Sequence, residues 1–259
     1  MLQKGQNMPV IIKGRLLDHR HPTVCVPVTK RRETEILEEI TSLCSKGVAM
    51  IEWRADYYED LLIEDKLKEL LMKLGAVIGD HILLVTIRTK AQGGEVELED
   101  MEYTRLLRCI AMTHQADLLD VELLSLKDPE RAISRLHEHG AVVVASHHDF
   151  DKTPDQAVML SVLDHMQKAQ ADIVKLAVMP KSMEDVLLLL ETTLNFHRQD
   201  PLTPMITISM GQLGLLSRLT GQIFGSCITF ASMGEASAPG QIDAEELKEA
   251  LAFIDKYYR

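Results

Sequence analysis

The sequence predicts an α/β protein with a (β/α)8 TIM barrel, and it allows a short N-terminal β-hairpin ahead of the barrel. Eight short apolar runs are each followed by an amphipathic segment, which is the alternation of a parallel barrel. The length of 259 residues suits one such barrel or two small domains. An open doubly wound sheet usually carries a glycine-rich loop after its first strand, whereas Thr29-Lys30-Arg31-Arg32 follows here. We therefore expect residues 1–259 to form a single barrel domain.

The expected strands are short runs rich in Val, Ile and Leu, the composition of strands that are buried on both faces. Ahead of them, residues 10–17 are expected to form the hairpin, with Gly14 near its turn. The expected barrel strands cover residues 23–29, 48–56, 82–88, 117–123, 141–146, 171–180, 204–210 and 228–232.

Each expected strand precedes a segment whose apolar residues recur every three to four positions, as in an amphipathic helix. Ser182 is placed as the N-cap of the sixth of these helices. The seventh is short and interrupted by glycines. The expected helices cover approximately residues 33–46, 61–74, 99–114, 129–138, 154–170, a segment that begins after Ser182, then 213–221 and 244–257.

The composition argues against several classes of partner. The formal net charge of −11 disfavours nucleic-acid binding, which needs a basic face, and attraction to an anionic membrane surface. No apolar stretch is long enough to span a membrane, and the N-terminus lacks the features of a signal peptide. The four cysteines are scattered without a C-x-x-C pair, as in reduced cytosolic proteins. We expect a cytoplasmic protein that binds a small molecule, and clustered arginines could still attract a small anion.

A lysine interrupts the sixth expected strand. Lys175 lies in the middle of residues 171–180, eight of which are apolar. Lysine is rarely buried without a reason. Either its ammonium reaches water along its own methylene stem, or the amine occupies a dry site with a chemical role. The polar residues elsewhere in the chain favour the second interpretation.

Polar residues recur late in the expected strands, where the active sites of such barrels lie. Glu52, Arg54 and Asp56 share one parity, so all three side chains point to one face of the second strand. Charges are costly in a core unless they line a polar cavity, although a structural ion-pair layer is an alternative. The same position in other strands is occupied by Arg88, His148 and Lys175, and Met210 leads into Arg218.

Two loops at the expected mouth carry further signals, although either could be an ordinary surface loop. Residues 91–95 contain two glycines that allow a tight turn over the mouth. Residues 235–241 are small and polar, as expected of a lid. Arg218, near the start of a short helix, would combine a guanidinium with a positive helix end and so favour a carboxylate. His147 and His148 alternate in direction along a strand, so we reject a shared metal ion.

Six segments of the chain, in this order, resemble the type I 3-dehydroquinate dehydratases, the Schiff-base enzymes of the shikimate pathway. The resemblance runs from about Thr23 to the final helix, and the combination of segments is highly specific. It implies a (β/α)8 barrel, usually dimeric, that uses no metal or organic cofactor. The segments are Ile51-Glu52-Trp53-Arg54-Ala55-Asp56, Thr86-Ile87-Arg88-Thr89, Ser146-His147-His148-Asp149-Phe150, residues 172–180, Ser217-Arg218 with Phe224-Gly225-Ser226, and Ser237-Ala238-Pro239-Gly240-Gln241.

The resemblance also implies a reaction and the residues that perform it. The reaction is loss of water from 3-dehydroquinate to give 3-dehydroshikimate. Lys175 would form the Schiff base, and His148 would be the general acid/base. The substrate-binding residues implied are Arg218 for the carboxylate, Ser237 and Gln241 from the lid, and Glu52, Arg54 and Arg88 for the ring hydroxyls.

One position departs from the family pattern. Many members carry Glu where this chain has Gln92, and that Glu is thought to hydrogen-bond the catalytic histidine. Gln can orient an imidazole but cannot stabilise an imidazolium by opposite charge. We therefore expect a lower working pKa for His148 than in a relative with Glu. Met210, beside the site, is expected to pack rather than to shield the lysine from water.

The implied chemistry needs a nucleophilic amine, and the unperturbed lysine pKa of about 10.4 is too high for one. We expect burial of Lys175 among Ile173, Val174 and Leu176, with arginines nearby, to favour the neutral amine.

Two other functions stay open. A class I aldolase also uses a lysine late in the sixth strand, but it usually has a phosphate-binding loop after strand seven or eight. A catalytically silent small-acid binding protein could keep Arg218 and the lid without a desolvated lysine.

Overall fold

The computed structural model describes residues 9–234 and 240–258. Strands and helices alternate along these residues, and short 3₁₀ turns cover 55–57, 90–92 and 123–125. No helix in the described part of the chain is long and apolar enough to cross a membrane. In chain order the elements are β1 (Ile11–Ile12), β2 (Arg15–Leu16), β3 (Thr23–Val28), α1 (Glu33–Ser45), β4 (Met50–Arg54), α2 (Glu64–Ile78), β5 (Ile82–Thr86), α3 (Asp100–Thr113), β6 (Leu118–Glu122), α4 (Pro129–Glu138), β7 (Val143–Asp149), α5 (Gln156–Lys168), β8 (Ile173–Val178), α6 (Met183–Gln199), β9 (Met205–Ser209), α7 (Leu215–Leu219), α8 (Gly221–Phe224), β10 (Ile228–Ser232), β11 (Ile242–Asp243) and α9 (Ala244–Tyr257).

Strands β3 to β10 form a parallel barrel. Neighbouring strands follow one another in sequence order from β3 to β9, and β10 pairs with β3 on the other side. A parallel bridge between Met205 in β9 and Ser226, just before β10, brings the two ends of the sheet together. Each crossover contains at least one helix, as parallel pairing requires. The predicted (β/α)8 TIM barrel is confirmed.

The predicted N-terminal hairpin is also present and lies at the N-terminal end of the barrel. β1 and β2 pair antiparallel through Lys13 and Gly14, whose φ angles are 48° and 76°, as a type I′ turn requires. Val10 and Ile12 belong to the same buried cluster as the interior of the barrel. Lys13 Nζ lies 2.7 Å from Asp117 Oδ2, directly before β6. The hairpin therefore closes the end of the barrel where the strands begin.

Alternate residues of each barrel strand face the interior or the surrounding helices. In β8, Ile173 and Ala177 join the interior cluster, whereas Val174 and Leu176 pack under the helices. Lys175 has the parity of the interior set, and only 3% of it is exposed. Strand periodicity thus places its side chain inside the barrel rather than on its outer surface.

Most predicted boundaries hold within a few residues, and two regions differ in kind. β7 extends through Asp149, as expected of a fifth strand that ends in His147-His148-Asp149. The predicted helix over 213–221 is two short helices that divide at Thr220, where φ is −111° and ψ is 16°. β11 was not predicted, and it pairs with β10 over two residues. At Ser182, the predicted cap is confirmed, because its hydroxyl accepts a hydrogen bond from Asp185 N in a full capping box.

Candidate active site

A cavity of about 300 Å³ opens at the end of the barrel where the strands finish. Side chains from most of the barrel strands and from the loops that follow them line it. Of the ten predicted site residues, Ser237 lies outside the described residues. The other nine all line the cavity: Glu52, Arg54, Arg88, Gln92, His148, Lys175, Met210, Arg218 and Gln241.

The Lys175 amine lies at the bottom of this cavity among charged groups. Its Nζ lies 3.2 Å from Asp120 Oδ2 and 3.8 Å from Glu52 Oε1. The ring of Phe230 lies against the same atom, with its centroid 4.6 Å from Nζ. Both carboxylates are buried. The amine is therefore enclosed by two carboxylates and an aromatic face.

The predicted surroundings of this amine are wrong in an important respect. Val174 and Leu176, which we expected to surround the amine, point outward to the helices because neighbouring residues in a strand alternate faces. The arginine nearby, Arg88, donates to the carboxylate of Asp120 instead of facing the amine alone. The Lys175 amine therefore lies among carboxylates rather than among apolar groups.

Arg88 and Asp120 form the centre of a buried polar network. Arg88 Nη2 lies 2.9 Å from Asp120 Oδ2, and its Nη1 donates to Glu122 Oε1 at 3.1 Å and to Ser146 Oγ at 2.9 Å. Burial disfavours the charge on Arg88, yet Asp120 and Glu122 raise its pKa. Burial likewise opposes ionisation of Asp120, but Arg88, Lys175 and the Ser146 hydroxyl hold its pKa below the usual value. Both groups therefore stay ionised.

His148 is held by Gln92 from the loop after β5. The backbone N–H of His148 donates to Gln92 Oε1 at 2.9 Å, and His148 Nδ1 lies 3.4 Å from the same oxygen. Gln92 ends a 3₁₀ turn, and Gly93 follows it with φ of 79°. The ring of Phe150 stacks on that of His148, with the centroids 6.3 Å apart. Strand, loop and aromatic ring together fix the orientation of the imidazole.

The imidazole of His148 is neutral at ordinary pH. Burial lowers its pKa well below the usual value, and the positive charges of Arg88, Lys175 and Arg54 lower it further. A neutral imidazole whose Nδ1–H faces Gln92 has its Nε2 lone pair free. His148 can therefore act as a base.

Arg218 is a buried cation without a partner among the described residues. Only 4% of Arg218 is exposed, its Nε has no hydrogen-bond partner, and no carboxylate of residues 9–234 and 240–258 forms an ion pair with it. Burial lowers its pKa to about 10, so it is still charged at neutral pH. The prediction that it lies near a helix start is wrong, because α7 begins at Leu215 and Arg218 is the fourth of its five residues. The guanidinium alone, without a helix end, provides the positive charge.

Glu52 and Arg54 face the cavity with different partners. Arg54 binds Asp56 through two hydrogen bonds of 2.8 and 2.7 Å, whereas Glu52 Oε1 accepts a hydrogen bond of 2.8 Å from Thr86 Oγ1. The alternative of a purely structural ion-pair layer fits Arg54 and Asp56 in part. It does not fit Glu52, whose nearest cation is the Lys175 amine.

Comparison with known proteins agrees with this geometry. The sequence model of the Type I 3-dehydroquinase family matches residues 24–258. A 3-dehydroquinate dehydratase from Lactiplantibacillus plantarum is 43% identical over 231 residues, which cover 89% of this chain and 91% of the relative. The crystal structure of 3-dehydroquinate dehydratase from Geobacillus kaustophilus has a TM-score of 0.93 and 32% identity, covering 98% of this chain and 99% of that one.

The chain belongs to the type I 3-dehydroquinase family.

A further solved structure of this family is also similar to the chain. It is the type I 3-dehydroquinate dehydratase from Clostridium difficile with covalently modified comenic acid. Its TM-score is 0.92 at 37% identity, covering 96% of this chain and 99% of that one. The resemblance drawn from six segments is thereby confirmed, and this chain is an enzyme of the type I 3-dehydroquinase family.

Three residues of this type I 3-dehydroquinase site were not singled out from the sequence. Asp120, Glu122 and Ser146 are fully buried and bind Arg88. Asp120 and Glu122 share one parity late in β6, the same signal that identified Glu52 and Arg54, so the rule applied to every strand would have found them. Across the described ranges, no group of three or more His, Cys, Asp or Glu residues is placed to hold a metal ion.

Proposed function

We propose that this type I 3-dehydroquinase removes water from 3-dehydroquinate through a Schiff base on Lys175, giving 3-dehydroshikimate. The observation that supports this function is the set of groups on one cavity: a buried amine, a neutral imidazole, and a guanidinium that forms no ion pair with the described residues. The first can bond a ketone, the second can move a proton and the third can bind a carboxylate. A keto acid presents both functional groups.

In the proposed mechanism, the Lys175 amine condenses with the substrate ketone to form an iminium. The iminium withdraws electrons from the adjacent carbon, so its proton becomes acidic enough for His148 to remove. His148 then returns the proton to the departing hydroxyl as water leaves. Arg218 binds the carboxylate, helped by Ser237 and Gln241, while Glu52 and Arg54 contact the ring hydroxyls. Arg88 contributes chiefly by holding the carboxylates of β6, because both of its terminal nitrogens already donate to them.

We further propose that residues 1–259 form one domain and that two copies form a homodimer in the cytoplasm. The family resemblance supports the dimer, and the scattered free cysteines support a reducing compartment. Light scattering on the purified chain should give twice the mass of 29.1 kDa. A mass of one chain over the micromolar range would contradict the dimer.

Borohydride trapping tests the proposed function. The protein is incubated with 3-dehydroquinate and borohydride, and the mass increase is mapped to Lys175, while product absorbance follows dehydration. Lys175→Ala should abolish both signals, and Lys168→Ala, a matched change at an exposed helix position, should leave both unchanged. An adduct on Lys175 without absorbance of the dehydrated product would favour a class I aldolase. Binding of 3-dehydroquinate without an adduct would favour a catalytically silent binding protein. Either result would refute the dehydratase.

A further inference from the structure

Two carboxylates face the amine of Lys175, and one of them is held by charged and neutral donors. Asp120 Oδ2 is 3.2 Å from Lys175 Nζ and 2.9 Å from Arg88 Nη2. Its other oxygen, Oδ1, accepts a hydrogen bond of 2.6 Å from Ser146 Oγ. Asp120 is completely buried. A carboxylate with a guanidinium and a hydroxyl bound to it is a poor proton acceptor, because every bond favours its ionised form.

The second carboxylate has weaker partners. Glu52 Oε1 accepts one hydrogen bond from a neutral donor, Thr86 Oγ1, and lies 3.8 Å from Lys175 Nζ. The guanidinium of Arg54, its neighbour on the same face, is committed to Asp56. A small approach of the lysine side chain would bring Nζ within hydrogen-bond distance of Glu52. Glu52 is therefore the carboxylate that can exchange a proton with the amine.

The charges around the amine do not balance. Two cations, Arg88 and Lys175, contact three buried carboxylates, those of Glu52, Asp120 and Glu122. One carboxylate is thus in excess in a site of low dielectric constant. Glu52 is the member of this set without a guanidinium, and transfer of the ammonium proton to it leaves the net charge of the site unchanged.

We propose that Glu52 is the proton carrier for Schiff-base formation on Lys175, while Asp120 stays ionised as a fixed counter-charge. This inference rests on the proposed function and adds a catalytic role to Glu52 beyond contact with the ring hydroxyls. Glu52 takes one proton from the ammonium, and the amine that results adds to the ketone carbon. Asp120 faces two positive charges, Arg88 and the nitrogen of Lys175, before and after the reaction.

The protons and charges of this step balance without an external acid or base. The nitrogen–carbon bond forms as the carbonyl π bond breaks. The new oxyanion then accepts from Glu52 the proton that Glu52 took from the ammonium. Glu52 then removes a second proton from the nitrogen and delivers it to the hydroxyl, which leaves as water when the carbon–oxygen bond breaks. The nitrogen keeps one hydrogen as the iminium. Ammonium and ketone have become iminium and water, and Glu52 is a carboxylate again.

The other groups around Lys175 are poorly suited to this task. Burial raises the pKa of the Cys25 thiol well above its usual value, so it is neutral. The pKa of His148 is lowered by burial and by three neighbouring cations, so it is a weak base in the resting site. Among the described residues, the titratable and charged groups that act on the amine or on Glu52 include Cys25, Arg54, Arg88, Asp120 and His148.

Single-turnover trapping tests the proposal. Excess enzyme is mixed with 3-dehydroquinate, borohydride is added at timed intervals, and the adduct on Lys175 is measured by mass. Glu52→Gln keeps an oxygen for the Thr86 hydroxyl but cannot accept a proton, so adduct formation at saturating enzyme should slow by about 10²–10⁴-fold. Glu52→Asp should be intermediate, roughly ten- to a hundredfold slower than wild type because its carboxylate is withdrawn by about one bond. Glu69→Gln, the same change at an exposed position of α2, should form the adduct at the wild-type rate.

The pH profile of adduct formation provides the second readout. In Glu52→Gln the solvent must remove the ammonium proton, so the rate should rise about tenfold per pH unit. The wild-type rate should stay flat wherever Glu52 is ionised. If Glu52→Gln formed the adduct at the wild-type rate and only bound the substrate more weakly, the proposal would be overturned. If Glu52→Gln does not fold by circular dichroism, Glu52→Asp decides, and a wild-type rate there also overturns it. Failure of the wild-type chain itself to form adduct would instead refute the proposed function.

Discussion

Replacing Gln92 by Glu is expected to raise the pKa of His148. Gln92 Oε1 accepts the backbone N–H of His148 at 2.9 Å, and a backbone N–H can only donate, so the atom that faces the ring is the oxygen. His148 Nδ1, 3.4 Å from that oxygen, is therefore the protonated nitrogen of the neutral ring. A carboxylate in the same position would face the imidazolium at hydrogen-bond distance, with no change in the number of heavy atoms.

The size of the shift follows from the neighbours of Gln92. An opposite charge at this distance typically moves a pKa by about 1–3 units, or about 1.4–4 kcal/mol. Gln92 Nε2 now donates to Ser125 Oγ at 3.2 Å, and that hydroxyl donates to Glu122 Oε2 at 3.2 Å. In the Glu variant, two carboxylates would compete for the one hydroxyl proton and repel each other. We therefore expect a shift of about one unit, the lower end of the range.

The assay is kcat/KM for 3-dehydroquinate across pH 5 to 9. In the proposed mechanism His148 acts as a base in its neutral form, so activity should be lost as pH falls through its pKa. Because the substitution raises that pKa, the acidic limb of the profile should move to higher pH by about one unit. Gln199→Glu, an equivalent change at an exposed position of α6, should leave the limb in place. An unmoved limb in Gln92→Glu, or one moved to lower pH, would refute this account of the His148–Gln92 contact.

Three other changes probe the same cavity. His148→Ala should lower kcat by about 10²–10⁴-fold in steady-state assays, and wild-type turnover would exclude the proposed acid/base role. Arg218→Met removes a buried cation that has no partner among the described residues, so the Tm measured by calorimetry should rise. The KM should increase about 10–150-fold, which is equivalent to about 1.5–3 kcal/mol for hydrogen bonds to a charged group. A lower Tm would contradict the expected gain in stability. Gly93→Ala places a Cβ 2.4 Å from the Phe150 ring at a residue whose φ is 79°. The free energy of unfolding measured in urea should therefore fall by about 1–2 kcal/mol, and an unchanged value would contradict this expectation.

The fold was predictable because the local signals agree with the long-range packing. The eighth barrel strand, residues 228–232, and the last helix, residues 244–257, match their predicted ranges. Asp243, the last residue of β11, caps the first N–H groups of that helix, which makes the boundary visible in the sequence. The second helix begins at Glu64 rather than Leu61, because the apolar residues before Glu64 lie in a turn.

The residues that line the cavity could be predicted, but their partners could not. Strand parity places Lys175 inside the barrel from the sequence alone. Asp120 is 55 residues away along the chain, and only the register of β6, β7 and β8 brings its carboxylate to the amine. The expectation of an amine among apolar groups failed for this reason. A short stretch of sequence shows the residues next to Lys175 along the chain, whereas the groups that contact its side chain come from other strands.

The charges of the cavity suit a keto acid better than a neutral ketone or a sugar phosphate. Arg218 lies on α7 without an ion pair among the described residues, while the surroundings of Lys175 hold one carboxylate more than they hold cations. In the proposed mechanism, a carboxylate on the substrate would pair with Arg218, and an iminium would place its positive charge beside Glu52 and Asp120. The barrel holds all of these groups in place before the substrate arrives, so little reorganisation is needed when charge develops. A ketone without the carboxylate would leave Arg218 unpaired, and the binding energy that positions the carbonyl at the amine would be lost.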